Sequence, residues 1–444
     1  MHIKIVRMFG AIVGGWVTCA ATFAPVSVAA PRAPSLEVVW SAPITGEKPP
    51  PVGTTSNIGT DTGLVLYEGA MLPDGRVVFL ATQITRQGRS QVLLIDAERS
   101  GPNGGVGLKL EDVRPPPKSS WLMGLLIRDE APRKRVIDAL ALGPDEAMWV
   151  GGASNIHSDI ASASHSDAYL AKLDPGGNPL WERTYGNDGQ KDIESIAVMP
   201  AGEVTISGHD LSNGWLARIA ADGGLVWERH LGKSGWNHDN VVASLPEGRL
   251  VVVGFEATNP GANKEDLNYL TAWILDGSGK ELSRTRVGTF SSDIVTAFPS
   301  VAVTRDAVYI ATSTSNPSNE KSVAIARVAL DGRLLWSTAL PDTALVATGK
   351  TSKWKSCRPA LATLSSGDAM VACALDGQIH LYQLDKTSGG YQETNIPLPA
   401  CQAEHPAAVF LMVRDGATMV LSGTRPYGNV GPNCTWVGRL TATR

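Results

Sequence analysis

An all-β fold made of about seven copies of a four-stranded unit is predicted by three observations: a repeat, its internal alternation and its length. The repeat is clearest where two copies adjoin. One reads DAYLAKLDPGGNPLWERTYG from Asp167 and DIESIAVMPAGEVTISGHD from Asp192; the next reads NGWLARIAADGGLVWERHLG from Asn213 and DNVVASLPEGRLVVVGFEA from Asp239. Each copy holds four short alternating apolar runs split by Gly, Asp, Pro or Asn turns, the pattern of half-buried strands joined by tight turns. A repeat of roughly 45–60 residues fits one blade of a radial array, and a blade cannot cover both faces alone, so the copies must stack around an axis. The expected fold is therefore a single seven-bladed β-propeller over residues 31–444, with no second domain.

Residues 1–30 read as a secretory signal. Lys4 and Arg7 precede an apolar stretch from Met8 to Ala24 and the small-residue run SVAA, which places cleavage after Ala29 or Ala30 and the mature chain in the periplasm or outside the cell. An uncleaved anchor is the alternative; Gly14, Gly15 and Pro25 weaken a spanning helix of about 20 residues.

Four strands are expected per blade, A innermost to D outermost. Strand A ends in a tight turn at LPDG 72–75, GPDE 143–146, MPAG 199–202, LPEG 245–248, TRD 304–306, SSG 365–367 and RDG 414–416. Strand B follows as RVVFLA, AMWVGG, EVTISG, RLVVVG, AVYIAT, DAMVAC and TMVLSG. It ends on a small residue (Ala81, Gly152, Gly208, Gly254, Thr312, Cys373, Gly423), which permits close approach of another backbone. Strand C reads QVLLIDA, DAYLAKL, NGWLARI, YLTAWIL, SVAIARV, QIHLYQL and CTWVGRL. Strand D carries Trp181, Trp227, Trp336 or Tyr391, with Ser283 in the fourth blade; the recurrence of an aromatic at one position points to packing between blades. The last copy stops after strand C, while residues 36–44 supply a spare strand with Trp40 at the D-strand place. That strand is expected to complete the seventh blade and so remove an exposed edge. Residues 45–63 read as a linker, 98–106 as a Gly-rich excursion and 155–166 as an exposed polar loop. Residues 112–134 form a longer insertion with an apolar centre from Trp121 to Ile127, read as a flap on the blades or a partner contact.

The chain has 444 residues, 43% hydrophobic and 18% charged, with a net charge of −4. That composition excludes broad disorder, and the lack of a basic block argues against nucleic acid as a partner. After the signal, the cysteines are Cys357, Cys373, Cys401 and Cys434. An even number in an exported chain suggests two disulfides. The hairpin geometry favours Cys357–Cys373 and Cys401–Cys434, with a cross-blade Cys357–Cys401 as competitor and free buried thiols as the alternative. No CxxC, HExxH or Cys/His spacing is present, so neither a metal site nor a cofactor is expected.

YLAKLDPGGNPLWERTYG at 169–186 and WLARIAADGGLVWERHLG at 215–232 carry a resemblance to bacterial secreted β-propeller repeat proteins of PQQ-like style. The resemblance implies a propeller and an exported location, and no activity. Seven copies and no adjacent cysteine pair argue against a PQQ-dependent dehydrogenase. The sequence ADGGLVW at 221–227 approaches a sialidase Asp-box, but Ala220 stands at its first position and no arginine triad is visible.

Propeller sites lie at the axial mouth. The loops leading from D strands into A strands hold Asp192, Trp236, His238, Asp239, Asp293, Arg358 and His405, a set able to bind a cation, a sugar or a peptide. The aspartates have an alternative duty as turn formers bonding nearby amides. The expected function is an exported, monomeric, non-enzymatic protein that engages a protein or glycan through these loops; the alternative is a hydrolase or lyase acting on carbohydrate or lipid.

Overall fold

The structure, a computed structural model, describes residues 35–44, 63–71, 77–84, 90–96, 106–107, 113–114, 133–157, 165–186, 191–210, 213–231, 240–257, 268–290, 299–315, 321–340, 359–375, 378–397, 408–414, 418–424 and 433–441. The described residues form seven sheets. Sheet 1 holds Gly63–Met71, Val77–Ile84, Ser90–Asp96 and the short Val106–Gly107. Sheet 2 holds Arg133–Leu142, Met148–His157, His165–Leu173 and Pro179–Tyr185. Sheet 3 holds Ser195–Val198, Val204–Asp210, Asn213–Ile219 and Leu225–Leu231. Sheet 4 runs Val241–Ser244, Leu250–Ala257, Asn268–Leu275 and Glu281–Phe290, and sheet 5 runs Ser300–Val303, Ala307–Ser315, Lys321–Ala329 and Leu334–Leu340. Sheet 6 comprises Ala360–Thr363, Ala369–Leu375, Gln378–Leu384 and Tyr391–Pro397. Sheet 7 comprises Ala408–Arg414, Thr418–Thr424 and Asn433–Thr441, with Ser35–Ile44 as its fourth strand.

The pairing of Ser35–Ile44 with Asn433–Thr441 is antiparallel, from Ser35 opposite Thr441 to Ile44 opposite Asn433. Apart from that pair and one short parallel strand in sheet 2, the neighbours within each sheet are sequential and antiparallel, as short turns demand. Two details differ from the sequence reading. Sheet 2 gains a fifth strand, Val113–Arg114, parallel to Arg133–Leu142. The expected loop 155–166 is partly strand, because the Met148–His157 hairpin arm extends to a His157–His165 pair across an irregular register.

The core is a series of seams between consecutive sheets. Leu170, Trp149 and Ala139 of sheet 2 cluster with Ile193, Val204, Ile206 and Trp215 of sheet 3, and Ala197 and Leu216 of sheet 3 with Val252 and Trp273 of sheet 4. The first strand of each sheet lies against the first strand of the next, and Gly63–Met71 lies against Ala408–Arg414.

The D-strand aromatics tie these seams. The indole Nε1 of Trp181 donates to Ala221 O at 3.0 Å, that of Trp227 to Gly277 O at 3.2 Å, and that of Trp336 to Lys386 O at 2.9 Å. Each acceptor lies in the C–D turn of the following sheet. A glycine in that turn meets the ring: a Cβ on Gly279 would stand 3.0 Å from Trp227, and one on Gly389 2.8 Å from Trp336. Both glycines have positive φ, 82° and 70°, so the turn suits glycine on two counts. The turn itself is built by an aspartate: the Oδ1 atoms of Asp174, Asp222, Asp276, Asp331 and Asp385 each accept the N–H two residues on. In sheet 4, Ser283 replaces the aromatic and the Thr285 hydroxyl takes over, donating to Gly332 O.

Candidate functional site

Of the mouth residues expected from sequence, Asp192 is described. Trp236, His238, Asp239, Asp293, Arg358 and His405 lie outside the described residues, as do Cys357 and Cys401. Cys434 lies in strand Asn433–Thr441. Cys373 is fully buried and disulfide-bonded.

Asp192 stands in the segment leading into the first strand of sheet 3, and a one-residue register shift determines what it faces. Ser195 pairs with Ser207, but Lys191 bridges to Asp210. Such an irregularity re-aims side chains. Here it sets Asp192 beside His209: Asp192 N donates to His209 O at 3.3 Å, and His209 N donates to Asp192 Oδ1 at 3.2 Å. His209 Nδ1 then lies 2.8 Å from Asp192 Oδ1 and 3.3 Å from Glu194 Oε1. Glu194 was not singled out from sequence. Its other oxygen accepts Asn240 N at 3.1 Å, and the Ser207 hydroxyl donates to Asn240 O at 2.8 Å, so the cluster also stitches sheet 3 to the entry of sheet 4. Ile193 N donates to Gly152 O at 3.1 Å on the side of sheet 2.

The small residues ending strand B make this possible. A Cβ on Gly208 would lie 2.1 Å from Asp192 O, and one on Gly254 1.9 Å from Asn240 Oδ1. At Gly208 and Gly254 the close approach is made by the sheet's own lead-in segment, and at Gly152 and Gly208 the lead-in of the next sheet also reaches the carbonyl, through Ile193 N at 3.1 Å and Asn240 Nδ2 at 3.3 Å.

Burial opposes the charge on His209, but Asp192 and Glu194 override it and hold its pKa up at about 11. Burial pushes Glu194 above the usual carboxylate range, against the pull of His209. Around the cluster, Lys191 Nζ bridges Asp210 at 3.5 Å and Glu228 at 3.3 Å and sits 4.9 Å over the Trp215 ring. His230 Nε2 lies 2.9 Å from Asp210 Oδ2, and Trp215 Nε1 donates to Glu228 Oε2 at 3.2 Å. The arrangement offers two anchored carboxylates and an imidazole at one sheet end, within a larger net of paired charges. A separate cavity lined by Ala302, Ala362, Thr363, Leu411, Met412 and Val413 borders the inner strands of sheets 5 to 7 and does not include the cluster.

The fold class is thus all-β, made mostly of four-stranded antiparallel sheets, and solved propeller-type structures resemble it. No family model matches the chain, and no curated protein matches its sequence; the resemblance to PQQ-like secreted repeats has no family model behind it. A Dyadobacter fermentans protein of unknown function is 11% identical with a TM-score of 0.48, covering 92% of this chain and 100% of its own. Virginiamycin B lyase from Staphylococcus aureus is 13% identical with a TM-score of 0.43, covering 85% and 94%. The Pan2 WD40 domain of Neurospora crassa is 14% identical with a TM-score of 0.41, covering 69% and 91%. At these identities and TM-scores the neighbours assign no activity to this chain.

Proposed function

We propose that the chain is an exported seven-bladed β-propeller, closed by its N-terminal strand, whose D-to-A loops engage a protein or glycan without catalysis. The observation that carries the reading is the circuit of first strands, each against the next and the last against the first, together with the pairing of Ser35–Ile44 to Asn433–Thr441. A ring of this kind holds loops from separate sheets around one mouth, a rigid frame for recognition. The mature protein is read as periplasmic or secreted and monomeric, with Cys373 bonded to Cys357 across one hairpin; peptide mapping without reductant tests that pairing.

The non-catalytic part rests on how the described polar groups are used. One ring nitrogen each of His209, His230 and His380 faces a carboxylate, whereas a nucleophilic hydrolase needs a hydroxyl or thiol beside such a ring. The two carboxylates with His209 favour the second reading, acid–base action on a glycan, but they do not line the cavity at the inner strands.

The test is capture from cell-envelope extract and from a glycan array, using the wild type and the alanine variants of His238, Asp239, Asp293, Arg358 and His405. The expected result is a ligand held by the wild type and lost in at least two variants whose melting points are unchanged. Capture unaffected by all five refutes the mouth as the binding face. Turnover of a captured glycan that disappears in Glu194→Gln overturns the non-catalytic reading.

A further inference from the structure

The sequence shows no linear metal motif, yet the folded chain assembles a compact mixed donor set. The ligand-capable atoms of Asp192, Glu194 and His209 all lie within 4.8 Å of one another. Two come from one strand-entry segment at positions i and i+2, and the third from the neighbouring strand. We propose that Asp192, Glu194 and His209 form a binding site for a divalent first-row cation such as zinc, completed by solvent. This goes beyond the partner-binding reading and does not depend on it.

The geometry is close to what coordination requires. Zinc bonds to imidazole and carboxylate at about 2.0–2.2 Å, which sets tetrahedral donors about 3.4 Å apart. His209 Nδ1 already stands 2.8 Å from Asp192 Oδ1 and 3.3 Å from Glu194 Oε1. Opening one contact by about 0.6 Å makes room for an ion between them; imidazole binds metal through an unprotonated nitrogen, so any proton on Nδ1 leaves to solvent as the metal–nitrogen bond forms.

The donors are also held by an outer set of bonds, the arrangement that orients metal ligands. A backbone N–H fixes each carboxylate: that of His209 on Asp192 at 3.2 Å and that of Asn240 on Glu194 at 3.1 Å. Lys191, the residue before Asp192, is turned to Asp210 and Glu228 and over Trp215, and the imidazole of His209 is the group placed between the two carboxylates. One imidazole with two carboxylates suits zinc or manganese better than the soft ligand sets of copper(I) or the all-oxygen sets of calcium. Three protein donors leave one tetrahedral position to water, so the ion would be reachable from solvent.

The experiment is calorimetric titration of zinc chloride into the full chain, stripped with chelator, alongside Asp192→Asn, Glu194→Gln and His209→Ala. His380→Gln serves as the control, since it disrupts another His–Glu pair, His380 with Glu393 at 2.9 Å. Expected are one zinc per chain, affinity at least tenfold weaker in each of the three variants, and no change in the control. A second readout needs no variant: the His209 ring resonances should shift and saturate with one equivalent of zinc. Absence of saturable one-to-one binding, binding by all three variants as tight as the wild type, or unmoved His209 resonances overturns the proposal.

Discussion

Replacing Gly208 by alanine inserts one methyl group where the structure has no room for it. The added Cβ would lie 2.1 Å from the Asp192 carbonyl oxygen and 2.9 Å from its carbon. The opposing atoms belong to the backbone, so no side-chain rotation relieves the clash. Retreat of the segment is resisted by three bonds: Asp192 N to His209 O at 3.3 Å, Ile193 N to Gly152 O at 3.1 Å and Glu194 N to Ser207 O at 2.8 Å. Overpacking of this kind costs about 1–3 kcal/mol, and each bond lost adds roughly 0.5–1.5 kcal/mol, so about 2–4 kcal/mol is expected. A kilocalorie shifts the midpoint by about 2–4 °C at 150–250 residues and by less in a longer chain, which gives a fall of roughly 3–6 °C in a thermal melt. The comparison variant is Gly202→Ala. Gly202 has a φ of 84° and nothing within 4 Å of its added Cβ, so it pays backbone strain alone, about 1 kcal/mol. A Gly208→Ala protein that melts no lower than Gly202→Ala refutes the steric account and the tight lead-in with it.

Two further outcomes follow from the same geometry. Trp336→Phe keeps an aromatic ring against the Gly389 turn but removes the donor to Lys386 O; a loss of about 1 kcal/mol in denaturant melts is expected. Trp336→Ala should cost clearly more, and equal losses in the two variants would show that the ring packs nothing. His209, with a pKa raised from 6.5 to about 11, contributes stability that is complete below about pH 6.5 and lost as pH rises toward 11. In chelator-treated protein the melting point should therefore decline between pH 7 and 10, and the slope should flatten in His209→Gln. Glu194, pushed up by burial, has the same sign at acid pH, where protonation favours the fold. An unchanged slope in His209→Gln would remove His209 from the account.

Much of the strand framework was legible because its causes are local. Alternating apolar runs mark strands, and Asp or Gly at fixed offsets mark turns; the aspartates at 174, 222, 276, 331 and 385 do what their residue type allows, accepting the N–H two residues on. The repeated tryptophan pointed to packing between sheets, and its ring does meet the next sheet's turn. The indole bond to that turn's carbonyl was not legible, because donor and acceptor lie 40 to 50 residues apart. The spare strand at residues 36–44 could be matched to the missing one by counting strands, and it pairs with Asn433–Thr441.

The cluster on sheet 3 was only half legible. Asp192 was named from its place in the loop. Glu194, two residues on, reads by alternation as an ordinary strand-entry residue, and His209 as the polar end of strand B. What joins them is the register step between Ser195–Ser207 and Lys191–Asp210, together with the glycine at 208 that lets the two segments close. Sequence by itself determined the strands, the turns and the inter-sheet aromatics, since these follow from backbone preference and burial within one repeat. The tertiary structure alone decided which charges meet, because a one-residue slip in pairing changes which side chains face each other and leaves no mark on composition or periodicity.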